Sequence, residues 1–267
     1  MQIYKKYLAQ PGFQSLDDFQ KNFKIVVPDN FNFAYDVVDE YARVEPDKIA
    51  IAWVNDAGEH RDFTYGELKE KTDATASYFQ SIGIGHGDKV MLILKRRYEF
   101  WYACLALHKI GAVAIPATHL LTNKDIVYRC NAADIKMLVC VGEAGVISNV
   151  EKALPDCPTV EKLVSVGPEF PGKWDNFQAK ITDAPPFIKP ALPSENDDLL
   201  FLYFTSGTTG NPKMVAHDYT YPLAHIITAS FWQNVQEDGR HLTVADTGWA
   251  KAVWGKLYGQ MMAGCSV

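Results

Sequence analysis

Short, nearly continuous apolar runs recur along much of the chain, and a helical pattern separates most of them from the next. The runs lie at residues 90–94, 112–116, 137–141, 163–166 and 199–204. Runs of this kind are typical of strands buried on both faces, and helices between such strands are typical of a parallel sheet. The sequence therefore predicts an α/β fold, a doubly wound and mostly parallel sheet with helices on both faces.

Two helix starts carry recognisable capping residues. Thr64 is followed three residues later by Glu67, and Thr122 is followed three residues later by Asp125. Thr64 and Glu67 form a capping box, in which the hydroxyl and the carboxylate satisfy backbone N–H groups reciprocally, and Thr122 is expected to cap the next helix with Asp125 in its first turn. We expect helices to begin after Thr64 and after Thr122.

The alternating pattern lapses between residues 167 and 196, where six prolines occur. Such a stretch is typical of a linker or a long surface loop. We interpret it as the connection that leads into the strand at residues 199–204, and not as a boundary between independent domains.

Bulk composition excludes several classes of protein. The net charge of -6 and pI near 5.6 argue against a surface for nucleic acid or anionic membrane, and no apolar stretch of membrane-spanning length occurs. The N-terminus lacks the apolar core of a signal peptide, so a cytoplasmic location is expected. The five cysteines are scattered, which favours neither a disulfide framework nor a zinc site: Cys104, Cys130, Cys140, Cys157 and Cys265.

A hydroxyl-rich and glycine-rich segment follows the apolar run at residues 199–204. It reads Thr205-Ser206-Gly207-Thr208-Thr209-Gly210-Asn211-Pro212-Lys213. Glycines let backbone N–H groups approach an anion, hydroxyls can donate to phosphate oxygens, and a lysine adds positive charge. The spacing differs from the Walker pattern, and an ordinary turn is the alternative. We predict a phosphate-binding loop formed by Thr205, Ser206, Gly207, Thr208, Thr209, Gly210 and Lys213.

This segment resembles the signature Thr-Ser-Gly-Thr-Thr-Gly-x-Pro-Lys of the AMP-forming adenylate superfamily, and it matches at every specified position. That superfamily includes acyl-CoA and acetyl-CoA synthetases, luciferases and the adenylation domains of peptide synthetases. Further segments resemble blocks of the family in the family's order: RDFTYGEL at 61–68, GDKV at 87–90, GAVAIP at 111–116 and ADTGWAK at 245–251. The last block, with KMVAH at 213–217, looks most like the medium-chain acyl-CoA synthetase branch.

The resemblance implies a two-step reaction with ATP, a carboxylic acid and coenzyme A. The acid and ATP form an acyl-adenylate and pyrophosphate, and the thiol of coenzyme A then displaces AMP. Lys213 and Thr205 are the implied catalytic residues, and the whole loop would hold the β- and γ-phosphates together with Mg²⁺. No metal ligand is assigned to this chain.

The resemblance also implies an acyl-substrate site at Asp246, Thr247, Gly248 and Trp249. Trp249 offers a large flat apolar wall with one N–H donor, which suits an acyl chain. The alternative is a buried core tryptophan after a turn built by Asp246 and Gly248.

Two further features keep two interpretations each. Residues 95–97, Lys-Arg-Arg, follow an expected strand and either meet coenzyme A phosphates or form a solvated charge run. His217 lies on the segment that leaves the loop, and either faces substrate or caps a helix.

Family members are about twice as long as this chain, so the resemblance implies that residues 1–267 form the N-terminal portion of the AMP-binding domain. The rest of that domain and the small C-terminal domain with its catalytic lysine would be absent. We therefore expect the 267 residues alone not to turn over. Two other interpretations stay open, a non-catalytic nucleotide-binding module or remnant, and an adenylation domain that loads a carrier protein.

Overall fold

The computed structural model describes residues 1–205 and 210–267, and their main feature is one twisted sheet. Within these residues, the sheet has seven strands: β3 (Lys89–Ile93), β4 (Val113–Pro116), β5 (Met137–Val141), β6 (Lys162–Val166), β7 (Asp175–Asn176), β8 (Leu199–Thr205) and β9 (Lys213–Asp218). They are hydrogen-bonded in the order β7-β6-β5-β3-β4-β8-β9, and all neighbours are parallel except β8 and β9. A separate antiparallel hairpin pairs β1 (Ile49–Val54) with β2 (His60–Thr64).

Helices connect the strands and flank the sheet. They are α1 (Leu16–Asn22), α2 (Glu40–Val44), α3 (Tyr65–Ser81), α4 (Glu99–Lys109), α5 (Asn123–Ala133), α6 (Ala144–Ala153), α7 (Phe177–Thr182), α8 (Tyr221–Ile226), α9 (Ala250–Lys256) and α10 (Tyr258–Met262). Two wide, π-helical segments, Ala34–Asp39 and Ile227–Trp232, adjoin α2 and α8, and short 3₁₀ helices occupy Ile3–Tyr7 and Leu154–Asp156.

Two separate apolar cores lie on the two faces of the sheet. Val90 and Leu92 of β3 join the core that includes α3 and α4, whereas Met91 and Ile93 join the core that includes α5 and α6. Successive residues of a strand point to opposite faces, so this alternation requires that both faces be covered. The predicted doubly wound α/β fold is confirmed.

The capping interaction predicted at Thr64 is present. The Thr64 hydroxyl accepts a hydrogen bond from the Glu67 N–H at 3.2 Å, and the Glu67 carboxylate accepts one from the Thr64 N–H at 3.0 Å. We expect Thr64→Ala to lower the free energy of unfolding by about 1 kcal/mol, because the Glu67 N–H at the start of α3 loses its side-chain acceptor. Urea unfolding measures this loss, Thr64→Ser should retain most of the stability, and equal midpoints for all three proteins would contradict the prediction.

Three elements differ from the sequence expectation. The antiparallel strand β9 and the hairpin of β1 and β2 were not predicted. Most residues of β2 and β9 are exposed and carry no long apolar run, whereas the six residues of β1 are all apolar and this strand was missed. His217 consequently lies in a strand and does not cap a helix. The proline-rich connection at residues 167–196 is not irregular throughout, since it contains β7 and α7 and buries Trp174 and Phe177.

In the part of the chain that the structure describes, no helix has both the length and the apolar character needed to cross a bilayer.

Candidate active site

The segment predicted to bind phosphate begins and ends on an antiparallel hairpin. Thr205, the last residue of β8, pairs with Lys213, the first residue of β9. The Thr205 hydroxyl donates to the Lys213 carbonyl oxygen at 3.4 Å, and both residues are exposed. The hairpin therefore places Thr205 and Lys213 on paired positions at the carboxyl end of β8, whereas Ser206, Gly207, Thr208 and Thr209 lie outside the described residues.

The second half of this segment is anchored by α5. The Tyr128 hydroxyl donates to the Pro212 carbonyl oxygen at 2.8 Å, and the Arg129 guanidinium lies over the Phe204 ring at 5.2 Å from its centre. Gly210 has a φ of 87°, a left-handed conformation that glycine adopts without strain. The residues that flank the hairpin end are thus fixed by side chains far away in the sequence.

Residues 246–249 form a tight turn just before α9, which we call the Asp246 turn. The Asp246 carboxylate accepts a hydrogen bond from the Gly248 N–H at 2.8 Å, and the Trp249 N–H donates to the Asp246 carbonyl oxygen at 3.1 Å. Asp246 therefore builds the turn. Trp249 is 59% exposed and is not a core residue, so the alternative of a buried tryptophan does not hold.

The Asp246 turn is held against the carboxyl ends of β3 and β4. Thr247 donates both its N–H, at 3.2 Å, and its hydroxyl to the Lys95 carbonyl oxygen, which follows β3. Gly248 lies so close to the residues after β4 that an added Cβ would stand 2.3 Å from the Ala117 carbonyl carbon. His119 Nδ1 lies 3.3 Å from Asp246 Oδ2. Only a glycine at 248 allows this close approach.

Sheet order brings the two predicted sites to one edge. Because β4 lies between β3 and β8, the Asp246 turn and the hairpin end of Thr205 and Lys213 flank the carboxyl end of the same strand. Neighbouring strands are about 5 Å apart, so the two groups lie within the span of a small ligand. Open α/β sheets bind ligands at this edge.

The basic residues 95–97 are engaged in part by carboxylates. Lys95 Nζ lies 2.8 Å from Glu143 Oε1, and the Arg97 guanidinium lies 2.8 Å from Glu99 Oε1. Lys95 itself has a φ of 54°, a left-handed backbone that costs energy in a residue other than glycine. The Lys95 carbonyl oxygen accepts both Thr247 hydrogen bonds. The left-handed backbone at Lys95 therefore orients the group to which the Asp246 turn is attached.

A cavity of about 510 Å³ lies beside this edge and not at it. Its lining includes residues 95–97, Trp101 and Lys256, but none of Thr205, Gly210, Lys213 or the Asp246 turn. We place the candidate site at the sheet edge, because the groups with the chemistry of phosphate and acyl binding converge there.

Comparison with known proteins identifies the family. The profile of AMP-binding enzymes matches residues 38–267, and the chain belongs to that family. The resemblance seen in the sequence is thereby confirmed. The chain is 34% identical over 236 residues to the mitochondrial acyl-coenzyme A synthetase ACSM5 of Mus musculus, a match that covers 85% of this chain and 40% of that protein. It is 29% identical to ACSM3 of the same species, over 99% of this chain and 47% of that protein.

Solved structures share the fold. The anthranilate CoA ligase AuaEII in complex with anthranoyl-AMP has a TM-score of 0.82 at 22% identity, over 90% of this chain and 45% of that chain. An acyl-CoA synthetase from Brucella canis has a TM-score of 0.78 at 21% identity, over 89% of this chain and 42% of that chain. The chain thus spans less than half the length of each of these four proteins.

Proposed function

We propose that this chain carries the N-terminal part of the adenylation site of an AMP-forming acyl-CoA synthetase. The observation that carries the proposal is the pairing of Thr205 with Lys213 at the carboxyl end of β8, next to the strand that supports the Asp246 turn. Membership of the AMP-binding family supports a nucleotide as one substrate, and the names of the curated relatives support an acyl-CoA as the product.

In the first step a carboxylate oxygen of the acid attacks the α-phosphorus of ATP, and the bond to the bridging oxygen of pyrophosphate breaks. Negative charge accumulates on the phosphate oxygens, so catalysis depends on positioning and on cationic stabilisation. The Lys213 ammonium and the Thr205 hydroxyl would donate to the β- and γ-phosphates and then to the leaving pyrophosphate. In the second step the sulfur of coenzyme A attacks the acyl carbonyl carbon, and AMP leaves.

The Asp246 turn would receive the acyl group. The exposed indole of Trp249 gives a flat apolar surface. The hydrogen bonds that Thr247 donates to the Lys95 carbonyl oxygen hold the turn at the sheet edge, and the one that the Gly248 N–H donates to Asp246 closes the turn. We propose medium-chain, aromatic or short branched carboxylic acids as substrates.

The reaction class also implies Mg²⁺. Across residues 1–205 and 210–267, no group of three or more His, Cys, Asp or Glu side chains is placed to hold a metal ion. The proposal therefore assigns no step to Mg²⁺ held by these residues.

We further propose that residues 1–267 alone bind nucleotide weakly and do not complete the reaction. Thr205 and Lys213 are exposed and Trp249 is more than half exposed, so the described site is an open surface. Ligand sites normally enclose most of the ligand, and an open one loses affinity.

Calorimetry on residues 1–267 tests the phosphate site directly. We expect ATP to bind with a dissociation constant near the millimolar range and more tightly than AMP, because only ATP carries the β- and γ-phosphates that Lys213 would contact. Lys213→Ala should remove this preference, whereas Lys152→Ala, at an exposed lysine on α6, should keep it. Equal binding of AMP and ATP by the unmodified chain would contradict the assignment.

A further inference from the structure

Lys256 is a buried lysine whose ammonium donates its hydrogen bonds to the segment just before the Asp246 turn. It is the last residue of α9 and only 8% exposed. Its ammonium donates to the carbonyl oxygen of Ala245 and, at 3.3 Å, to that of Thr243. Residues 243–245 belong to no helix or strand, so these carbonyl groups have no partner from regular secondary structure.

The backbone at Lys256 is held in place by contacts that do not involve the Asp246 turn itself. The Lys256 carbonyl oxygen accepts a hydrogen bond from the Trp101 indole at 3.2 Å, which ties the end of α9 to α4. The Thr243 hydroxyl donates to the Gly255 carbonyl oxygen at 2.6 Å, and an added Cβ at Gly255 would stand 2.7 Å from that hydroxyl. The segment before the Asp246 turn is therefore packed against the end of the helix that follows it.

We propose that Lys256 is a positioning residue for the Asp246 turn. Its ammonium fixes the Thr243 and Ala245 carbonyl groups on one side of the turn, while α9 leads away from the other side. The ammonium thus closes a loop that has Trp249 near its middle. This inference rests on the proposed function, in which Trp249 meets the acyl substrate.

The charge of Lys256 explains why this contact is effective. Burial lowers the pKa of Lys256 to about 8, so the side chain is still mostly an ammonium at pH 7. Hydrogen bonds from an ionised donor are stronger than neutral ones, and a single ammonium can serve two carbonyl groups at once. A neutral side chain of the same length would leave both carbonyl groups without this donor.

Amide hydrogen exchange of residues 1–267 at pH 7 tests the proposal. We expect Lys256→Met to accelerate exchange in peptides that cover residues 243–249 by about tenfold or more, because the turn opens locally once a charge-assisted contact is lost. Peptides that cover β3 to β5 should change by less than about twofold. Lys256→Arg, which keeps a cationic donor, should restore most of the protection, and Lys152→Met is the control on an exposed helical lysine.

Two results would overturn the proposal. Unchanged exchange at residues 243–249 in Lys256→Met would show that the contact does not hold the turn. An equal increase there and in β3 to β5 would show a general stabilising role. Should Lys256→Met fail to fold, Lys256→Gln, a neutral donor, must show the same local increase. The exchange experiment needs no substrate, so a failure of the proposed function would appear separately, as absence of pyrophosphate release that depends on a carboxylic acid in a longer form of this chain.

Discussion

Lys213→Ala should reduce acid-dependent pyrophosphate release by about 10²- to 10³-fold, the cost of removing one donor aimed at charge that develops in the transition state. The assay needs the complete fold, obtained from a longer form of this chain or by joining residues 1–267 to the part of mouse ACSM5 that follows the matched region. In either complete form of the protein, we expect Lys213→Ala to lower mainly kcat, because pyrophosphate gains charge as it leaves.

Lys213→Arg and Lys152→Ala make the test specific. Arginine keeps the charge but differs in shape, so we expect a smaller loss than with alanine. Lys152 is exposed on α6, far along the chain from the hairpin, and its replacement should leave the rate unchanged. An undiminished rate in Lys213→Ala would mean that Lys213 does not face the phosphates.

The second prediction with a large effect is that the folded protein loses stability as the pH falls below about 6.5. Burial lowers the pKa of His108 to about 3 and that of His225 to about 4, and His108 Nδ1 and His225 Nε2 have no hydrogen-bond partner among the described residues. The folded protein keeps both rings neutral, whereas the unfolded chain takes up protons below about pH 6.5. The free energy of unfolding should therefore fall as the pH drops from 6.5 to 4, by about 1.4 kcal/mol per pH unit for each histidine.

Urea unfolding between pH 7 and 4.5 measures this slope. His225→Phe keeps an aromatic ring next to Tyr258 and Tyr221 but cannot titrate, so it should remove about 1.4 kcal/mol per pH unit from the slope. Tyr221→Phe changes the same aromatic cluster. Because burial raises the pKa of Tyr221 to about 12, this variant should leave the dependence of the unfolding free energy on pH between 7 and 4.5 unchanged. An unaltered slope in His225→Phe would show that His225 is protonated in the folded state.

The central strands were predictable because their sequence pattern is local. Val90 to Ile93 alternate between two apolar cores, and a strand buried on both faces must be apolar throughout. Strand β9 lies at the edge of the sheet with most of its residues exposed, so its sequence carries no such run. Its formation depends on backbone pairing with β8, which residue types alone do not reveal.

The sequence predicts the residues of the candidate site but not the residues that support them. The loop ending in Lys213 and the turn at Asp246 are short motifs whose chemistry is visible in sequence order. Tyr128, which holds Pro212, and Lys95, whose carbonyl oxygen receives Thr247, are 84 and 152 residues away from their partners. Such contacts arise from strand order, and a tyrosine or a lysine at these positions carries no pattern of its own.

The most direct test of the proposed function is to identify the products that the complete fold forms from ATP labelled at the α-phosphate, which marks the nucleotide product, and from ATP labelled at the γ-phosphate, which marks pyrophosphate or inorganic phosphate. With a medium-chain or aromatic acid and no coenzyme A, we predict an acyl-adenylate and pyrophosphate, and with coenzyme A we predict the thioester and AMP. Formation of ADP and inorganic phosphate, or release of pyrophosphate at the same rate without any acid, would contradict the proposed function.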